Sequence, residues 1–330
     1  MSKGRLFKTL TLTAAIIAFL FVPAFIGQPY VLHILIVMGV NVVLASSLRF
    51  IATSGQFSLG HAGMVSIGAY TSALLVMRLG ISFWLALPLA GLTAMIVASL
   101  VGYPFARLKG IYFTMVTLFF TEVVKLTAEE WRSLTGGVAG ILAIPRPDAV
   151  VIPGLVRVDF SSKQDFYYLA LAMVVVTLLI LGAIESSRMG MTFLSVQQSE
   201  PLSESVGVNT AGVRVLAFSI GGFFAGLAGA FYSHYVSAIA PGSFGFLLAI
   251  YIFIYMVVGG TQKFSGPIIG AAFLTLVPEL SRWAKEYEPF IFAGILLAVI
   301  FFLRGGLASL PDRMRRLLGT EVLLRYRSLN

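Results

Sequence analysis

Glu122 and Lys125 stand three residues apart inside the apolar run GIYFTMVTLFFTEVVKL, a spacing that sets both on one face of a helix, close enough to pair. Two chemistries are open to such a pair in a membrane-length segment: a self-satisfying ion pair or one stage of a proton relay. The need of buried charge for a partner favours the ion pair. His61, in SGQFSLGHAGM, is either a hydrogen-bonded structural imidazole or one that lines a wet pathway. Asn41, Gln56 and Ser58 add polar groups of the kind that join helices or line a path. The chain has no cysteine and only His33, His61 and His234, which excludes thiol nucleophiles, disulfide frameworks and histidine metal clusters. No nucleophile, base and metal ligand fall at a useful spacing within the spans, so an enzyme has no support.

These groups must be held by membrane helices. Of the 330 residues, 58% are hydrophobic and 11% charged, far from the quarter or so expected of a soluble domain. Apolar runs and their polar punctuation place spans at 9–26, 30–50, 56–78, 82–105, 110–126, 165–185, 212–236, 244–262, 264–282 and 289–304, giving an all-α, polytopic membrane protein of about ten transmembrane helices. The basic start resembles a signal peptide without a cleavage site and is expected to remain as the first span. The formal charge of +9 lies at the ends of apolar runs, which is the pattern of membrane orientation and not of a nucleic-acid surface. Lys3, Arg5, Lys8, Arg49, Arg107, Lys109, Arg188, Arg214, Lys263 and the tail arginines then gather on the cytoplasmic side, with both termini cytoplasmic.

The expected organisation is an N-terminal segment with the first span over 1–29, a core over 30–310, and a basic tail over 311–330. Within the core, 127–164 forms an extracytoplasmic loop and 186–211 a cytoplasmic one. Spans two to five and seven to ten make two four-helix groups of opposite orientation, as inverted-topology repeats do. Small residues mark equivalent helices of the two groups. Ser54, Ser58, Ala62 and Ser66 recur every fourth residue among Gly60, Gly63 and Gly68, while Gly221 and Gly229 form one stripe and Gly222 and Gly226 the next. Such stripes let backbones approach closely.

The polar stretch SVQQSEPLSESVGVNTA reads as a short exposed helix. Ser199 suits its N-cap, Glu200 the positive end of its dipole, Pro201 its first turn, and Gly207 its stop, with Leu202, Ser203, Glu204, Ser205 and Val206 between. A helix of about two turns is not stable alone, so it must pack on the membrane domain or on a partner.

The stretches SGQFSLGHAGMVSIGAYTSALL, RLKGIYFTMVTLFFTEVVKL, WRSLTGGVAGI, SEPLSESVGVNTAGVRVLAFSIGGFFAGLAGAFYSHY, SFGFLLAIYIFIYMVVGGTQKFSGPIIGAA and VPEL, in this order, resemble the permease subunits of bacterial ATP-binding-cassette importers for branched-chain amino acids, of the LivM type. The resemblance implies translocation of leucine, isoleucine and valine across the bacterial inner membrane, with Glu200 to Gly207 as the coupling helix docked on a separate ATPase. It implies two ATPase subunits as partners, a second permease of the LivH type, an extracytoplasmic solute-binding protein and the lipid bilayer. ATP and Mg would belong to the ATPase subunits, with no cofactor bound by this chain. Permeases for urea and short-chain amides share most of these motifs, and an ion-coupled secondary transporter is the alternative of a different class. Two departures stand out: GMTFLSVQQ occupies a turn that is usually basic, and Ala139 stands where asparagine is common.

Overall fold

Hydrocarbon offers no partner to a peptide group, so apolar runs of this length close their hydrogen bonds internally as helices. The computed structural model describes residue 23 and residues 28–152, 156–280, 286–303 and 305–312. Nearly all of the expected span 9–26 and of segment 1–29, and most of the tail, lie outside the described residues. In chain order the helices are α1 (Pro29–Ala52), α2 (His61–Leu79), α3 (Phe83–Phe105), α4 (Ile111–Glu130), α5 (Lys163–Glu185), α6 (Arg188–Gln198), α7 (Glu200–Ser205), α8 (Thr210–Val236), α9 (Phe246–Gly259), α10 (Gly266–Leu280) and α11 (Glu288–Phe302). Among the described residues seven segments are long and apolar enough to cross a membrane, namely α1 to α5, α8, and α9 with the turn before it, while α10 and α11 are shorter apolar helices. The protein is thus an all-α polytopic membrane protein.

The bundle is keyed around α8, where glycines bring its backbone close to three neighbouring helices. A Cβ at Gly229 would lie 2.1 Å from the Val65 carbonyl oxygen of α2, and one at Gly226 would lie 2.6 Å from the Ala94 Cβ of α3. Gly222 faces Ala98 of α3 and Gly221 faces Ile51 of α1, so the two stripes of α8 serve different neighbours. Gly68 of α2 meets the Gly226 backbone directly, and Gly63 packs on Phe120 and Thr121 of α4. Backbone contact of this kind gains dispersion that larger side chains would prevent.

A continuous helix over 56–78 is not what the chain forms, and Ser54 and Ser58 do not extend the face of Ala62 and Ser66. Ser54 donates its hydroxyl to the Ile51 carbonyl at 2.7 Å, Gly55 takes a φ of +85°, and Ser58 Oγ accepts from Gly60 N at 3.0 Å. Serine side chains thereby compete for the backbone groups that a helix would use. Helix α2 starts only at His61, with Gly60 as its N-cap. The freed backbone is satisfied by a row of threonines on α4. Thr114 Oγ1 donates to Phe57 O at 2.7 Å, Thr117 Oγ1 accepts from Leu59 N at 3.0 Å, and Thr121 Oγ1 donates to Leu59 O at 3.0 Å.

A second break follows α8. Ser237 takes a φ of +61°, Ala238–Ile239 pairs antiparallel with Ile141–Leu142, and the turn Pro241–Phe244 leads into α9. The loop carrying WRSLTGGVAGI packs against this break: a Cβ at Gly140 would lie 1.9 Å from Ile239 O. Helix α4 also runs to Glu130, beyond the expected end of its span, and so the long loop starts later. Helix α5 starts on a reciprocal cap, in which Ser162 N donates to Asp165 Oδ2 at 3.0 Å and Asp165 N donates to Ser162 Oγ at 3.2 Å.

Gly229→Val should force α8 from α2 and lower the thermal stability of the detergent-solubilised protein, by about 1–3 kcal/mol as overpacking does. Gly294→Val, at a position where a Cβ meets nothing within 4 Å, should leave the melting temperature nearly unchanged. Size-exclusion profiles after a temperature series make the comparison.

Candidate functional site

At the end of the bundle where α1, α3 and α5 finish, the chain builds a two-helix platform. The stretch GMTFLSVQQ is not a turn, for it belongs to α6, which Ser187 caps by accepting from Met189 N at 3.1 Å. Phe193 of α6 meets Phe50 edge to face at 5.4 Å, and Gln197 Nε2 donates to the Ala52 carbonyl at 3.0 Å. The helix is thus fixed beneath the end of α1.

Ser199 ends α6 and caps α7, its hydroxyl accepting from Leu202 N at 3.4 Å. Pro201 falls in the first turn, where its missing N–H costs nothing. Helix α7 covers Glu200–Ser205, shorter than two turns. Ser203 Oγ donates back to Ser199 O at 2.9 Å and Ser205 Oγ to Leu202 O at 2.8 Å. Gly207 then takes a φ of +85°, and Val208 N reaches Ser203 O at 3.0 Å. The αL glycine lets the last turn close on itself.

Glu200 does more than face a helix dipole. One carboxylate oxygen meets Lys109 Nζ at 2.8 Å, and the other accepts from the Arg214 guanidinium at 2.8 Å. Lys109 lies in the turn between α3 and α4 and Arg214 in the first turns of α8, so one side chain ties α7 to two separate parts of the bundle. Glu204 adds a third tie by accepting from Thr210 Oγ1 at 2.8 Å. Burial pushes the Glu200 carboxyl up, but the hydrogen bonds and charges of Lys109 and Arg214 outweigh it and hold the group below its ordinary value. The face opposite these ties is apolar and open, with Leu202 67% and Val206 74% exposed, one helical turn apart.

Beside this platform, Arg49 of α1 forms an ion pair with Glu185 of α5 at 2.5 Å and donates through Nε to Thr261 O at 2.9 Å. Lys109, Arg214, Arg49 and Glu185 escaped assignment in the sequence. The signal available was their shared position at span ends on one side of the membrane; Arg49 and Glu185 are 136 residues apart, and Arg214 and Glu200, though 14 apart, lie on different helices.

The polar groups at membrane depth divide between structural joints and one open cluster. Asn41 Nδ2 of α1 donates to Thr275 Oγ1 of α10 at 3.0 Å, and His61 Nε2 lies 2.8 Å from Ser47 Oγ. His61 Nδ1 and the buried Gln56 Nε2 have no hydrogen-bond partner among the described residues. Glu122 and Lys125 pair at 3.4 Å, with Glu129 4.0 Å from the same lysine. Glu122 Oε1 also accepts from Phe246 N at 2.8 Å, capping α9. This pair lines a cleft of about 340 Å³ with Leu118, Phe119, Phe246 and Leu247. A second cleft of about 370 Å³ lies toward the other end of α9, between Phe57, Phe253 and Gly260.

Membrane-length helices with a short helix tied outside them define a polytopic membrane protein. Residues 30–303 match the family described as branched-chain amino acid transport system, permease component. The high-affinity branched-chain amino acid permease LivM of Salmonella typhimurium is 31% identical over 84% of this chain and 67% of its own length. LivH of Escherichia coli is 23% identical and BraD of Pseudomonas aeruginosa 24% identical, each over 78% of this chain and 87% of its own length. No solved structure matches the chain. The chain belongs to this family of permeases, as a member of the LivM type, and not to an enzyme family.

Because the docked state binds Glu200 as a carboxylate, its contribution is present above the ordinary carboxylate pKa and is lost as the pH falls through the lowered one. Amide exchange at Ser203 and Val208 should therefore stay slow at neutral pH and speed up only below the ordinary carboxylate range. Glu200→Gln should show fast exchange already at neutral pH, as read by hydrogen–deuterium mass spectrometry.

Proposed function

We propose that this chain is the membrane-spanning half of an ATP-driven importer of branched-chain amino acids, and that α7 is the element through which a separate ATPase subunit moves it. The observation that carries the reading is the two-sided character of α7. One face is bolted through Glu200 and Glu204 to the α3–α4 turn and to α8, while the other presents Leu202 and Val206 to a partner. A helix too short to be stable alone gains its order from those bolts, so a push on its free face reaches the spans without loss.

Similarity to LivM, LivH and BraD supports the substrate class and the presence of a second, related permease. The basic residues Arg49, Arg107, Lys109, Arg188, Arg214 and Lys263 at the α7 end support a cytoplasmic place for α7, by the bias of short loops. An extracytoplasmic binding protein delivers the amino acid at the opposite end. ATP and Mg bind to the paired ATPases, which favour their closed arrangement; α7 follows, and the spans rock between inward-open and outward-open states. Only the difference in ATP affinity between those states drives the change. This chain's own part is mechanical: it holds α7 rigid and provides the path.

Leu202→Arg should remove the docking contact without touching the bolts. In proteoliposomes containing the whole complex, ATP-dependent uptake of labelled leucine should fall at least tenfold, the equivalent of about 1.4 kcal/mol or more, and co-purification of the ATPase should weaken. The melting temperature of the permease should stay the same. Undiminished uptake would remove α7 from the coupling path.

A further inference from the structure

Just past its midpoint, α4 carries a charge pair on a face that the chain leaves partly uncovered. Glu122 lies eleven residues from the helix start at Ile111, about 16 Å along the axis at 1.5 Å per residue, close to the middle of a hydrocarbon layer of about 30 Å. Its side chain is 32% exposed and that of Lys125 27% exposed. Half-open charges at that depth are costly against lipid and are found facing a bundle interior or a wet path. The cleft they line, about 340 Å³, falls within the range of small-molecule sites, about 300–1,000 Å³.

We propose that Glu122, Lys125 and the walls Leu118, Phe119, Phe246 and Leu247 form a binding site within the permease for the zwitterionic head and aliphatic side chain of an amino acid. The inference rests on the importer reading and gives it a substrate contact inside the membrane. Opposite charges 3.4 Å apart match a ligand whose own ammonium and carboxylate are neighbours. The ammonium lies against Glu122 and the carboxylate against Lys125, so neither protein charge is left unpaired. A lone anion or cation would satisfy only one of them, which is a strongly unfavourable state for buried charge. Urea or an amide offers neutral hydrogen bonds that compete poorly with the existing pair.

The site is built to release as well as to hold. Glu122 is fixed by the Phe246 amide at 2.8 Å, at the N-terminus of α9, and Lys125 has Glu129 within 4.0 Å. Without ligand the pair satisfies itself, so binding displaces existing contacts and remains weak, as passage requires. The second cleft, about 370 Å³ between Phe57, Phe253 and Gly260, lies further along α9. Phe246 and Phe253 are seven residues apart and therefore share a helical face, so one face of α9 lines both clefts.

The chain has no cysteine, and Gly242 at the rim of the cleft has room for a Cβ. In the complete complex in proteoliposomes, Gly242→Cys should react with an anionic methanethiosulfonate. Leucine at ten times its dissociation constant should slow the reaction about tenfold, because only the empty fraction reacts, whereas urea should not slow it. Adding Lys125→Met should abolish protection by leucine and Lys125→Arg should retain it; Leu118→Cys provides a second reporter should the first complex not assemble. No reaction at either thiol, equal rates with and without leucine, or equal protection by urea would overturn the site. Absent protection in a complex that still takes up leucine with ATP removes the site and leaves the importer reading intact. Protection in a complex without ATP-driven uptake keeps the site and removes that reading.

Discussion

No water reaches the hydrocarbon core to receive an unpaired peptide group, and this single constraint decides where the chain can depart from a helix. It departs twice, over 53–60 and over 237–245, and each time α4 meets part of the loss, the second break also pairing with Ile141–Leu142. Thr114, Thr117 and Thr121 serve the first break, and Glu122 serves the second through the Phe246 amide. The four residues follow one another along adjoining faces of one helix. Helix α4 is therefore less a span than a rack of side-chain partners on which two interrupted segments hang.

At the α7 end the governing interaction is ionic. Arg214 has only 9% of its side chain exposed and Lys109 has 69%, so the two bonds of Glu200 differ in kind. The exposed lysine pair is screened and contributes little, while the buried arginine pair is one whose breaking costs about 3–5 kcal/mol, chiefly through the charge left behind. The anchor to α8 is then the strong one, and the anchor to the α3–α4 turn sets direction more than strength. Arg49 and Glu185 repeat the scheme between α1 and α5.

Much of the architecture was legible in the sequence because hydrocarbon thickness and apolar run length are two views of one quantity. The expected spans from 30–50 onward have helical counterparts, and the αL turn at Gly207 follows from its residue type. SGQFSLGH has the small residues of a packed helix and so points to a span from 56, and only the hydroxyls of a distant helix reveal that its backbone is bonded elsewhere. GMTFLSVQQ reads as a turn because α6 is too short for a span and buries only Phe193 and Val196, leaving Met189, Met191 and Leu194 exposed. The ties of Glu200 were hidden for a different reason. Spans separated by ninety to a hundred residues or so of chain meet there, and local pattern is silent about such meetings.

The glycines of α8 carry a further implication for motion. Where helices touch through main-chain atoms there is no side chain at the contact to tilt or repack, and a Cβ at Gly229 or Gly68 has nowhere to go. The α2–α3–α8 unit therefore behaves as a stiff keel. Whatever swing the molecule performs has to be absorbed by its more loosely packed flank, where α4 shows a large part of its surface and carries the charged cleft.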